Sequence, residues 1–128
     1  MPLSPPPIPP PSEGPAGLIA TAFWTEAPGV GGLRRGPIGT TPPGSVRVEA
    51  LYSGVSRGTE ATVFHGRVPT EAAAHMTAPY QTGALPGPVK YGYANVGRVV
   101  EAPGGERHPG ELVFCLFPHQ DRYVVPAH

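Results

Sequence analysis

The sequence predicts a mainly β domain, a small and partly open barrel with one or two short helices, and three observations carry that expectation. Proline (20) and glycine (18) are far above ordinary usage in 128 residues. Long helices are therefore unexpected, because proline removes a backbone donor and glycine raises the entropy cost of order. Val46-Arg47-Val48-Glu49-Ala50-Leu51 alternates apolar and polar residues with period two, the pattern of a half-buried strand. Pro-Gly clusters recur between short β-forming runs, as tight connections between strands require.

Residues 1–16 are dominated by Pro5-Pro6-Pro7-Ile8-Pro9-Pro10-Pro11, which cannot build a hydrogen-bonded ladder. They read as a disordered, polyproline II-prone tail, either a solvated extension or a ligand for an aromatic groove. Residues 17–128 read as one domain. Its first strand candidate runs from Leu18 to Trp24, and Pro28 to Gly32 reads as a turn. A second turn at Pro42-Pro43-Gly44 feeds the alternating strand. The bend Ser53-Gly54-Val55-Ser56-Arg57-Gly58-Thr59-Glu60 follows, then a short helical segment from Glu60 to Phe64 closed by Gly66. Residues 67–88 read as a long loop with a helical turn at Glu71 to Met76. The β pattern returns from Tyr91 to Val100, where internal glycines suggest a bulge or a close backbone approach. Glu111 to Phe117 and Arg122 to Val125 are two further strands, joined by Pro118-His119-Gln120-Asp121.

Nine basic and nine acidic residues balance, with no basic patch, which argues against a nucleic-acid partner. No apolar run approaches the roughly 20 residues that span a bilayer, so no membrane partner is expected. The start lacks the blocks of a signal peptide, and the expected setting is cytoplasmic. The single cysteine, Cys115, excludes an internal disulfide and any four-cysteine zinc lobe. It lies within an apolar run and is expected to be buried and inert.

The order of these pieces carries a resemblance. A Pro-Gly turn leads into an alternating strand, then Gly54-Val55-Ser56-Arg57-Gly58-Thr59-Glu60, Val89-Lys90-Tyr91-Gly92-Tyr93 and Gly92-x-x-x-x-Gly97-x-Val99. Gly110-Glu111-Leu112-Val113-Phe114 and Tyr123-Val124-Val125-Pro126-Ala127 follow. Over residues 18–127 this resembles the N-terminal, GroES-like substrate domain of the medium-chain dehydrogenase/reductase superfamily. The nearest likeness is to a bacterial branch of zinc-type alcohol dehydrogenases beside the bacteriochlorophyllide dehydrogenases. The resemblance implies an NAD(P)-dependent oxidoreductase acting on an alcohol, aldehyde, ketone or activated alkene. NAD or NADP would be bound mainly by a Rossmann domain, and no glycine-rich turn of that kind fits this sequence. The chain is therefore expected to be an incomplete, by itself inactive part of such an enzyme. Two alternatives stay open: a non-catalytic binding module, and one half of a split enzyme completed by a separate Rossmann-domain partner. A homo-oligomer is compatible with each.

The resemblance also supplies site residues. Ser56 stands where the zinc enzymes place a cysteine ligand, and Tyr93 and Ala94 stand where they place histidine and glutamate. A neutral hydroxyl and a phenol are poor zinc ligands, so zinc is not expected. Glu60 is either a carboxylate ligand or a surface residue. Tyr93 is either a phenol donor to a substrate oxygen or a tyrosine packed at the barrel rim. Ser56 either relays a proton or fills the bend, and Thr59 either contacts substrate or caps the helix. Arg57 is either a fork for the cofactor diphosphate or a surface arginine. His119 either lines a cleft or faces water.

Overall fold

The computed structural model describes residues 18–128, so the proline-rich tail lies outside the described residues. Strand β1 (Ile19–Ala27) turns at Pro28-Gly29 into β2 (Val30–Pro37). β3 (Ser45–Ser53) follows the Pro42-Pro43-Gly44 turn, where the Ser45 amide donates to the Pro42 carbonyl at 3.0 Å. Helix α1 (Arg57–Phe64) and a single 3-10 turn (Thr70–Ala72) precede two short strands, β4 (Thr82–Gly83) and β5 (Val89–Lys90). β6 (Asn95–Glu101), β7 (Leu112–Cys115) and β8 (Arg122–Pro126) complete the chain.

The strands form two four-stranded antiparallel sheets, in the orders β2-β1-β5-β4 and β7-β6-β3-β8. The architecture is mainly β and partly open, as the sequence predicts. What joins the sheets is the connection between β7 and β8. The Phe23 amide donates to the His119 carbonyl at 2.9 Å, and the Asp121 amide donates to the Thr21 carbonyl at 3.0 Å. The Asp121 carboxylate also accepts from the Thr21 amide at 2.8 Å. β1 is thus laced to residues 119–121, while the Ala50 amide of β3 donates to the Asp121 carbonyl at 2.8 Å. The His119 backbone is held at the junction of both sheets by main-chain bonds.

Two apolar clusters fill the interior. Val46, Val48, Val99, Phe117, Tyr123 and Val125 form the larger, with the Phe117 and Tyr123 rings stacked 4.1 Å apart. The alternation in β3 explains it: Val46 and Val48 face inward between Tyr123 of β8 and Val99 of β6. Val63 of α1 packs with Ala78, Val89 and Tyr91 in the smaller cluster. Among the described residues no helix is long and apolar enough to cross a membrane.

Three local expectations need correction. Gly31 and Gly32 do not belong to a turn but to β2. A Cβ on Gly31 would fall 2.5 Å from the Phe23 ring, so a glycine here leaves room for that aromatic side chain. The β6 strand begins at Asn95 rather than Tyr91. Gly92 has φ +136°, a backbone conformation that side chains rarely adopt, and a Cβ there would lie 3.0 Å from His119 Nε2. The helix begins at Arg57 rather than Glu60, with Ser56 as its N-cap residue.

Candidate functional site

Helix α1 brings the bend residues to one wall of a cleft of about 690 Å³. Phe23, Val55, Val63 and Phe64 give it apolar walls, and Arg57, Glu60, His65 and His119 supply its polar chemistry. Glu60 is 9% exposed and sits in the first turn of α1, where a carboxylate is favoured by the helix dipole. One carboxylate oxygen accepts the Ser56 amide at 2.7 Å. That bond resembles a capping box lengthened by one residue: it satisfies the N-cap amide, while the Ser56 hydroxyl itself makes no cap hydrogen bond. The other oxygen meets His119 Nε2. Glu60 is therefore a buried residue with two fixed partners, which corrects the surface reading.

The opposite nitrogen of the same ring, Nδ1, meets the Ser53 hydroxyl at the end of β3. A carboxylate only accepts hydrogen bonds, so a neutral imidazole places its proton on Nε2 and leaves Nδ1 as an acceptor. The Ser53 hydroxyl then donates to Nδ1. Its other available acceptor, the Ala94 carbonyl, lies at 3.5 Å, where a hydrogen bond is weak. His119 also borders a second recess of about 340 Å³ on the Ser53 side. One imidazole thus stands between two recesses, with its side chain 17% exposed. The reading of His119 as a histidine in water gives way to a cleft histidine.

Around the main cleft, burial pushes the Tyr91 phenol up, with smaller contributions from Tyr93 and Glu60, and its hydroxyl donates to the Met76 carbonyl at 2.5 Å. Behind the strand, burial lowers the Lys90 ammonium below its ordinary value, while its Nζ donates to Gln120 Oε1 at 2.5 Å. Burial likewise pushes the half-buried Cys115 thiol up, away from its reactive thiolate form.

Of the residues singled out in the sequence, Arg57 lines the cleft. Ser56 stands behind it as the N-cap, its amide held by Glu60. Thr59 lies inside α1 rather than at its cap. Tyr93 is outside the cleft lining and packs on the Val63–Val89–Tyr91 cluster, its ring edge-on to Tyr91 at 6.1 Å. A zinc ion does not fit this donor set: among the described residues no three His, Cys, Asp or Glu side chains converge, and Glu60 with His119 makes only a pair. Sequence reasoning passed over Ser53, because nothing in its neighbourhood points to a ring 66 residues away. No protein-family model matches this chain, and no curated protein matches it in sequence.

Proposed function

We propose that this chain is the substrate-binding domain of an NAD(P)-dependent oxidoreductase acting on apolar alcohols, aldehydes, ketones or activated alkenes. The resemblance of its ordered motifs suggests the class, and one observation carries the reading. An acid–base pair, Glu60 with His119, is set into the wall of a largely apolar cleft that also carries Arg57 and His65 and is large enough for a small organic molecule. Such a pair accepts or returns the proton that accompanies reduction of a carbonyl. The nicotinamide, held mainly by a separate cofactor-binding domain, supplies the hydride. Arg57 at the cleft edge suits a diphosphate or a polar substrate end. Tyr93 acts indirectly, by packing the Tyr91 wall.

Titration of the chain with cyclohexanone, followed by amide NMR, tests the reading. Shifts at Phe23, Arg57, Phe64 and His119 are expected. An unperturbed cleft, or steady NADPH oxidation by the chain alone with carbonyl substrates, contradicts it.

A second reading, a docking module, rests on a different observation. Tyr52, Val96 and Phe114 are exposed apolar residues paired in register across β3, β6 and β7. Contiguous exposed apolar surface marks an interaction site. Sedimentation velocity separates the two: concentration-dependent association abolished by Phe114→Ser favours docking, and a monomer at every concentration argues against it.

A further inference from the structure

We propose that Ser53, His119 and Glu60 form a nucleophilic triad that takes an acyl group from small apolar esters in the second recess. The activity needs no nicotinamide; it shares the Glu60–His119 pair with the oxidoreductase reading but adds Ser53 and a different recess.

Three features carry it. The connectivity is serine hydroxyl to imidazole to carboxylate, and each link is a direct contact. The carboxylate is itself fixed, by burial and by the Ser56 amide, so it holds the ring in one orientation and one tautomer. Ser53 and His119 open together onto a recess walled by Phe23, Leu33, Leu51 and Tyr52, which suits an apolar acyl chain. The nitrogens are exchanged relative to the serine-protease template, with the serine on Nδ1 and the carboxylate on Nε2. The proton logic is unchanged, since either ring nitrogen serves as a base when the other donates to a carboxylate. Ser53 is exposed at the end of β3.

The chemistry balances with water as the second reactant. Ser53 Oγ attacks the ester carbonyl while its proton passes to His119 Nδ1, and Glu60 stabilises the imidazolium. The C–O bond to the leaving group breaks, and Nδ1 returns the proton to the departing alkoxide. Water then attacks acyl-Ser53 with Nδ1 again as base, which releases a carboxylic acid and restores the hydroxyl.

The probe is p-nitrophenyl acetate with the full chain. Acetylation that maps to Ser53 by peptide mass, with nitrophenol release, is expected. Ser53→Ala should abolish the adduct and lower the rate about 100-fold, the contribution of one positioned base and its nucleophile. Glu60→Gln should slow acylation while leaving circular dichroism unchanged, and Ser53→Cys should restore an acyl adduct at position 53. Acetylation confined to lysines, or an equal rate in Ser53→Ala, overturns the proposal. So does a Ser53 acylation rate no faster than that of the chain unfolded in urea.

Discussion

At the residue scale, the site is decided by hydrogen-bond capacity. Glu60 has two acceptor oxygens and two donors facing it, one from the Ser56 amide and one from His119. Replacing it with glutamine keeps the shape but weakens two charge-assisted bonds. Glu60→Gln should lower stability by about 1–3 kcal/mol in urea denaturation, with the loss shared between the α1 cap and the His119 contact. Tyr123 makes a comparable case in the core. Its hydroxyl donates to the buried Asn95 Oδ1 at 2.9 Å, and burial drives its phenol far above the ordinary value of 10. A raised folded-state value means stability that is complete below pH 10 and lost as pH climbs beyond it. Tyr123→Phe should therefore cost about 1–3 kcal/mol at neutral pH and blunt the alkaline loss, both readable from denaturation at several pH values. Neither Glu60 nor His119 announces its role in the sequence. They are 59 positions apart, and a contact at that separation leaves no periodicity to read. The one local trace is Glu60 four residues after Ser56, the spacing of the lengthened cap.

At the element scale, legibility follows from how each strand is buried. β3 is plain in the sequence because apolar residues alternate along it, and β8 because Tyr123-Val124-Val125 is a compact β-forming run. β2 is hidden because it is largely exposed and carries Gly31 and Gly32 for packing reasons. Glycine usage within elements has testable consequences. A Cβ on Gly97 would lie 2.7 Å from the Glu49 carbonyl across the β3–β6 pair. Gly97→Ala should destabilise by about 1–3 kcal/mol and loosen amide exchange protection in β3 and β6. Gly58 in α1 meets open space. Gly58→Ala should stabilise by about 0.4–1 kcal/mol in the same assay, because the residue is helical and the unfolded chain loses freedom.

At the scale of the whole molecule, two sheets that share few contacts are tied through residues 119–121, and the site lies on that tie. Ion pairs away from that site set how the fold meets acid. Hydrogen bonds from Arg34 and Arg107 hold Glu26 and Glu111 below the ordinary carboxylate value of 4.5. A depressed folded-state value gives stability that is present above that value and lost as pH falls through the folded one. The midpoint of urea unfolding should hold steady above pH 5 and decline below pH 4, and raised salt should flatten that decline, because both pairs are exposed. The mainly β architecture was open to sequence reasoning, since composition and turn chemistry act locally. Arg57, Glu60 and His119 could each be singled out, but their assembly could not, since it exists only where β1, β3, α1 and the β7–β8 connection meet. The most direct test is the long-range proton–nitrogen NMR spectrum of the His119 ring in its neutral form. A protonated Nε2 and an acceptor Nδ1, in one fixed tautomer that Glu60→Gln disturbs, is the result expected of a ring clamped between Glu60 and Ser53. Averaged tautomers that ignore Glu60→Gln would contradict it.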